Sequence, residues 1–222
     1  MIAVLNKYYI IKMKTLKIHI KESIFDDVED MVNNDAILIE QFLKDNYKIT
    51  GSYIIKGGVV DVKGDVTVKN KNIESLTNGL FRFGTVQGCF YCVRCTKLTS
   101  IEGAPEKVGK NFNCHDCYNL TILKGAPKEV GGDFNCAFCS SITSLKGATK
   151  EVGKDFYCTD CPKLESLEGA PEEVGGSFWC SRCPSLTSLK GGPGKVGKDF
   201  YCHDCRLLKI TNSDRKKYRI EL

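Results

Sequence analysis

A unit of 22 residues repeats six times between residues 88 and 210, and this repeat limits the folds that are open to the chain. Each copy contains a Cys-x-x-Cys pair, and the pairs follow one another without any change of spacing. A fixed period of this length is typical of a solenoid, in which a repeat buries its apolar side only by stacking on its neighbours. The pairs are Cys92/Cys95, Cys114/Cys117, Cys136/Cys139, Cys158/Cys161, Cys180/Cys183 and Cys202/Cys205.

The apolar positions of one copy predict a short strand followed by a curled chain. In the fourth copy Phe156 and Cys158 alternate as the inward residues of a strand do. Cys161, Leu164 and Leu167 follow at intervals of three residues, so the chain must curl to keep them inward. Gly and Pro residues then supply the turns to the next strand. One buried column is predicted to run through the stack: Leu98, Leu120, Ile142, Leu164, Leu186 and Leu208.

This pattern resembles the leucine-rich repeat, L-x-L-x-x-[NC]-x-L-x-x-L, with Phe and the first Cys at the strand leucines and the second Cys at the Asn/Cys position. The segment Leu-Thr-Ser-Leu-x-Gly-Ala-Pro-x-x-Val-Gly is similar to short repeats of bacterial and bacteriophage proteins. The resemblance implies a β-rich solenoid with parallel strands and little helix on its convex side. It also implies a concave face that binds a protein partner. From the same resemblance we expect a role in phage–host interaction.

The chain divides into three predicted parts. Residues 1–87 are expected to form a small α+β N-terminal cap, residues 88–210 the six repeats, and residues 211–222 a capping strand. The cap should protect the apolar surface and the unpaired backbone groups at the open end of the stack.

Several elements are predicted within the cap. Leu16–Ile20 alternates as a strand does, a helix begins at Ser23, and a second short helix covers Ile37–Leu43. Tyr53–Val62 is predicted to be a hairpin around a Gly-Gly turn. Val66 begins a degenerate first repeat. A second possible start at Met13 leaves open whether residues 1–12 belong to the protein.

Charge and hydropathy favour a soluble cytoplasmic protein. The net charge of +5 is mild and the basic residues form no long run, so we expect neither nucleic acid nor a membrane as partner. No apolar run is long enough for the core of a signal peptide or for a membrane span. We therefore expect a cytoplasmic location, that of the host cell if a phage encodes the chain, with reduced cysteines.

The cysteine pairs allow two interpretations. Two adjacent pairs could supply four thiolates to zinc, which makes a zinc-binding protein the alternative function. Both cysteines nevertheless occupy core positions, and Val68, which cannot bind a metal, takes the first Cys position in the degenerate repeat. We therefore predict buried free thiols, with no metal and no cofactor. Disulfides are disfavoured because turns about 4.8 Å apart exceed the Cβ separation that a disulfide needs. Cys89, outside the pairs, is predicted to be the accessible thiol.

Catalysis is not predicted. His115 and His203 each stand in a Cys-His-Asp-Cys segment. Adjacent residues of a strand point to opposite sides, so cysteine, histidine and aspartate there should not form a relay. We therefore expect a protein that is not an enzyme.

The residues between the inward positions vary from copy to copy, which predicts an exposed binding face. Tyr157, Trp179 and Tyr201 occupy consecutive turns and would form a strip about 10 Å long. Such a strip is either a binding hot spot or a cross-strand stack that stabilises the sheet. The predicted partner-binding residues are Tyr157, Trp179, Tyr201, Tyr91, His115, Phe138, Arg182 and His203.

Overall fold

The computed structural model describes residues 35–222. The strand predicted at Leu16–Ile20 and the helix predicted from Ser23 therefore lie outside the described residues. Residues 35–46 are helical (α1), somewhat more than the predicted Ile37–Leu43. The strands that follow are β1 Tyr47–Ile49, β2 Tyr53–Lys56, β3 Val59–Val62, β4 Val66–Val68, β5 Arg82–Val86, β6 Phe90–Tyr91, β7 Lys107–Val108, β8 Phe112–Asn113, β9 Glu129–Val130, β10 Phe134–Asn135, β11 Glu151–Val152, β12 Phe156–Tyr157, β13 Glu173–Val174, β14 Phe178–Trp179, β15 Lys195–Val196, β16 Asp199–Tyr201 and β17 Arg219–Glu221, with helix α2 at Asn212–Lys217.

The strands form two sheets that run the length of the molecule. One has nine strands in the order β1-β4-β6-β8-β10-β12-β14-β16-β17, and the other has eight in the order β15-β13-β11-β9-β7-β5-β3-β2. Strands of successive repeats are parallel and in register, so that Phe156 pairs with Phe134 on one side and Phe178 on the other. The chain is thus a parallel β-solenoid of about seven turns with little helix. The Glu/Lys-Val strands that the repeats contribute to the second sheet were not predicted.

Columns of identical side chains fill the space between the two sheets. The six phenylalanines from Phe90 to Phe200 are fully buried, and their rings stack with centroids 4.9–5.6 Å apart. The predicted column from Leu98 to Leu186 is also fully buried. Leu208, its predicted last member, is only half-buried because no further repeat covers it.

One column of glycines is required by the close approach of successive turns. A Cβ atom on Gly153 would lie 2.3 Å from the carbonyl oxygen of Gly131, and one on Gly175 would lie 2.4 Å from that of Gly153. No side chain fits at such distances, so the turn spacing excludes every other residue from this column.

The N-terminal end is closed by antiparallel strands. The predicted hairpin is confirmed: β2 pairs with β3 around Gly57 and Gly58, both of which have positive φ. β1 pairs with β4, and β4 pairs with β6 in the position of an additional turn of the nine-stranded sheet.

The C-terminal end is closed by a helix and a strand. β17 extends the nine-stranded sheet as its last strand. Helix α2 was not predicted from its polar sequence, although Thr211 and Asp214 form a capping box at its start. The ring of Tyr218 packs 4.6 Å from that of Phe200, and its hydroxyl donates to the carbonyl of Pro193 at 2.7 Å. Tyr218 therefore covers the end of the phenylalanine column.

Candidate binding surface

The outward side of the nine-stranded sheet presents four columns of side chains, which we call the variable face. The first column precedes the buried phenylalanine, the second follows it, and the third and fourth follow the first cysteine. The first column is Cys89, Asn111, Asp133, Asp155, Ser177 and Asp199, and the second is Tyr91, Asn113, Asn135, Tyr157, Trp179 and Tyr201. The third column is Val93, His115, Ala137, Thr159, Ser181 and His203, and the fourth is Arg94, Asp116, Phe138, Asp160, Arg182 and Asp204.

The three consecutive aromatic residues stack on one another. The ring centroids of Tyr157 and Trp179 lie 5.8 Å apart at 19°, and those of Trp179 and Tyr201 lie 3.6 Å apart at 11°. All three side chains are half-buried rather than exposed. Both faces of the indole are therefore covered by tyrosine, and the strip presents ring edges to solvent. Cross-strand stacking is thus one role of this strip.

The two tyrosines are also tied to the first column. The Tyr157 hydroxyl donates to Asp155 Oδ2 at 2.9 Å, and the Tyr201 hydroxyl lies 3.4 Å from Asp199 Oδ2. Burial, followed by the hydrogen bond to Asp155, raises the pKa of Tyr157 to about 12. Trp179 has no such acceptor: its Nε1 is buried and unbonded among the described residues.

The Asn and Asp side chains of the first column join each turn to the next. Asn111 Oδ1 accepts the backbone N–H of Asp133 at 3.0 Å, Asp133 Oδ1 accepts that of Asp155 at 3.1 Å, and Asp155 Oδ1 accepts that of Ser177 at 2.7 Å. Asn and Asp make the same bond, so the bond needs the oxygen and not the charge. The negative charges of Asp133 and Asp155 are therefore not needed for this hydrogen bond between turns.

The fourth column does not lie on a strand, contrary to the sequence-based expectation. All six of its residues have φ between 55° and 59°, because each strand ends at the second-column residue and the chain turns three residues later. Arg182 meets Asp160 through two hydrogen bonds of 2.7 and 2.6 Å, and Arg94 lies 3.3 Å from Asp116. Phe138 stands between these two ion pairs and is 47% exposed.

The same turn places a histidine beside the aspartate that follows it, although the sequence predicted that the two side chains point to opposite sides. His115 Nδ1 lies 3.0 Å from Asp116 Oδ2, because the left-handed conformation of Asp116 breaks the alternation of a strand. Cys114 is fully buried beneath them. In the last repeat His203 Nδ1 contacts Ser181 Oγ at 2.9 Å instead.

The thiols are buried and hydrogen-bonded to the backbone. The second cysteine of a repeat donates to the carbonyl of the first cysteine one turn earlier at 3.1–3.5 Å, in the pairs Cys117 to Cys92, Cys139 to Cys114, Cys161 to Cys136, Cys183 to Cys158 and Cys205 to Cys180. Residues 35–222 contain no group of three or more His, Cys, Asp or Glu side chains placed to hold a metal ion.

The prediction that Cys89 is accessible is wrong. Cys89 is only 8% exposed, and its backbone N–H is bonded to Asp65 Oδ1 at 2.8 Å, which ties it to the preceding degenerate repeat. Cys205 is instead the one cysteine of the chain that is only half-buried. It lies in the last repeat, where no further turn covers it.

A groove of about 410 Å³ borders the first column at the turns between the two sheets, which include Gly153, Lys154, Gly175 and Gly176 and which we call the corner. Asp133 and Asp155 line it on the side of the variable face, and Lys154 and Lys198 line it at the corner. Gly176 stands between the two lysines in the repeat pattern, so no side chain fills the space between them.

The fold places the chain among solenoid repeat proteins with a 22-residue period and cysteines in every repeat. Comparison with protein-family models, with curated proteins and with solved structures found no match for the chain. Within residues 35–222, no helix has both the length and the apolar character that a membrane crossing requires.

Proposed function

We propose that this chain is a non-catalytic, protein-binding scaffold of the leucine-rich-repeat kind, with the variable face as its binding surface. One observation supports this most directly. The inward columns repeat Phe, Cys, Cys and Leu with hardly a change, whereas the outward columns change at nearly every turn. Stability alone requires no such variety, because one favourable side chain could be repeated at every turn.

The resemblance to bacterial and bacteriophage repeats supplies the finer part of the proposal. The partner is then a protein of the host cell, and the place of action is the host cytoplasm. Nucleic acid and membrane are not the proposed partners. The variable face contains six aspartates and two arginines, a formal charge of −4, which repels phosphate groups.

Binding residues are proposed from exposure and chemistry. Phe138 and Arg182 are exposed, and aromatic and arginine side chains are common at binding hot spots. Tyr91, His115 and His203 are half-buried on the same face. Tyr157, Trp179 and Tyr201 contribute their ring edges.

A matched pair of bulky substitutions tests this function. Thr159→Tyr places a ring in the middle of the variable face, where the Thr159 side chain is half-buried. Thr187→Tyr makes the same change at an exposed position outside that face. Each immobilised protein is exposed to host lysate, and captured proteins are quantified by mass spectrometry together with the melting temperature of each variant.

The expected result is a protein captured at about one copy per chain by the wild type and by Thr187→Tyr, and lost with Thr159→Tyr at unchanged melting temperature. Equal capture by all three proteins would show that the variable face is not the binding surface.

A further inference from the structure

The charge of the variable face is opposite to that of the whole chain. The chain has a net charge of +5, whereas the four columns have −4. None of the lysines of residues 88–210 belongs to these columns. Several lysines of the repeats form ion pairs on the side of the eight-stranded sheet, as Lys107 does with Glu129 at 2.5 Å and Lys150 with Glu172 at 3.0 Å. Charge complementarity therefore favours a cationic ligand on this face.

Three carboxylates of the variable face form no ion pair among residues 35–222: Asp133 and Asp155 in adjacent turns of the first column, and Asp204 in the last turn of the fourth, whereas Asp199 pairs with Arg219 at 3.0 Å. Asp116 and Asp160 are already paired with arginines in the fourth column. Asp133 and Asp155 each accept a backbone N–H of the next turn through one oxygen, and the second oxygen of Asp155 also accepts the Tyr157 hydroxyl. Among residues 35–222 neither carboxylate forms an ion pair with a cationic side chain, so their charges are not neutralised. They occupy adjacent turns, about 4.8 Å apart. A guanidinium, with its donors in a fixed fork, can meet carboxylates at that separation.

An exposed apolar group lies at the opposite margin of the same face. Phe138 belongs to the same repeat as Asp133 but to the fourth column, and 47% of it is exposed to solvent. In an extended peptide, alternate side chains point to opposite sides. A segment that runs along the solenoid between the two margins therefore directs one side chain towards Asp133 and Asp155 and the next towards Phe138.

We propose that the variable face binds an extended segment of a protein partner in which an arginine lies next to an apolar residue. The arginine meets Asp133 and Asp155 on the side of Asn135 and Tyr157, away from Lys154 and Lys198 at the corner. The apolar neighbour covers Phe138. Six turns span about 24 Å, the length of about seven extended residues. This inference rests on the proposed function and specifies the chemistry of the partner.

A peptide array tests the proposal with the full chain. Peptides of about this length contain arginine beside leucine, and each has a counterpart in which citrulline replaces arginine, with the same shape and no charge. The expected signal is about tenfold higher for arginine at low ionic strength, and smaller at high salt. Equal signals for arginine and citrulline would overturn the proposal.

Two double variants locate the charge effect. Asp133→Asn with Asp155→Asn removes two charges but keeps the acceptor oxygens, as Asn111 does naturally. Glu129→Gln with Glu151→Gln removes two charges from adjacent turns of the eight-stranded sheet. The first should abolish the preference for arginine and the second should leave it unchanged. Equal losses would mean unspecific attraction and would overturn the proposal.

The outcomes separate this proposal from the function on which it rests. Peptides that bind regardless of arginine, and that Thr159→Tyr displaces, would overturn the arginine proposal and leave the scaffold function standing. An array without any signal above background would also overturn it, while the lysate experiment with Thr159→Tyr and Thr187→Tyr decides the scaffold function independently. A signal unchanged by Phe138→Asn would overturn the placement of the apolar neighbour.

Discussion

The thiol of Cys183 donates a hydrogen bond to the carbonyl oxygen of Cys158, 3.2 Å away in the preceding turn. The second cysteine of a repeat therefore fills apolar space and also satisfies a buried carbonyl. In the degenerate repeat, Val68 and Lys71 stand at the two cysteine positions, and Lys71 Nζ donates to the carbonyl of Val68 at 2.7 Å. This carbonyl receives a side-chain donor in both settings, which gives the second cysteine a role that alanine or valine cannot take.

Two cysteines of one repeat provide a matched test of that hydrogen bond. Cys180 and Cys183 are both fully buried, but only Cys183 donates to a carbonyl. Cys180→Ala and Cys183→Ala remove the same atoms, so Cys183→Ala should lower the free energy of unfolding by about 1 kcal/mol more, the usual net value of a hydrogen bond. Urea denaturation measures both. Equal losses would show that the thiol acts only as an apolar group.

The leucine column should determine stability. Leu164 is fully buried, so Leu164→Ala should lower the free energy of unfolding by about 2–5 kcal/mol, as truncations of buried leucine do. Leu207, which is 59% exposed, is the control, and Leu207→Ala should change it by less than about 0.5 kcal/mol. Chemical denaturation of the two variants compares them. A loss below about 1 kcal/mol for Leu164→Ala would contradict a packed core at this position.

Alkaline pH should destabilise the protein. Burial raises the pKa of Cys158 and Cys180 and raises that of Cys202 to about 12. Thiols of the unfolded chain ionise near about pH 8.5. Since the folded pKa is the higher one, this contribution to stability is complete below about pH 8.5 and is lost as pH rises towards the folded pKa. Each such thiol should then lower the free energy of unfolding by about 1.4 kcal/mol per pH unit.

Urea midpoints at about pH 7.5 and about pH 9.5, in the presence of a reductant, measure this decline across the ionisation of the unfolded thiols. Cys180→Ala should show a shallower decline than the wild type, because it lacks one buried thiol. A midpoint that does not change between the two pH values would refute the prediction.

Cys205 should react with thiol reagents before the other cysteines. It is half-buried, and its interaction with the neighbouring Cys183 thiol lowers its pKa to about 7. The rate of labelling under native conditions should therefore rise with pH through a midpoint near about 7, as the thiolate forms. Cys205→Ser should remove this fast phase, whereas Cys89→Ser should not. Mass spectrometry of the labelled peptides would contradict the prediction if Cys89 reacted first.

Metal analysis tests the alternative function. The thiols of Cys117 and Cys139 are engaged with carbonyls, and burial in the apolar core disfavours the thiolates that zinc requires. The purified protein should therefore contain no stoichiometric zinc and should keep its melting temperature in the presence of a chelator. Two or three zinc ions per chain, or unfolding by the chelator, would establish the zinc-binding alternative, because structural zinc contributes directly to folding.

Most of the repeat architecture was predictable because its signals are local or strictly periodic. The period of 22 residues predicts stacked turns, and the alternation of Phe156 and Cys158 predicts which side chains enter the core. The Gly57-Gly58 pair predicts the hairpin because glycine readily adopts the positive φ that the turn requires. The repeat strands of the second sheet, from β7 to β15, were missed because each has only two residues, too few for any alternation to appear.

The variable face was predicted only in part. Its columns follow from the repeat, but the exposure of Trp179 depends on Tyr157 and Tyr201, which lie 22 residues away on either side and cover both faces of its ring. The contact of His115 with Asp116 depends on a left-handed φ that the chain adopts where it leaves the sheet.

The sequence by itself determined that the chain stacks into a solenoid and which side chains face the core, because both follow from periods that are short compared with the chain. Only the tertiary structure decided which thiol is accessible, which aromatic rings are covered and which carboxylates remain unpaired. Those properties depend on contacts between equivalent residues of neighbouring turns, and the stack supplies such neighbours everywhere except at its ends. Cys89 is therefore covered and Cys205 is not.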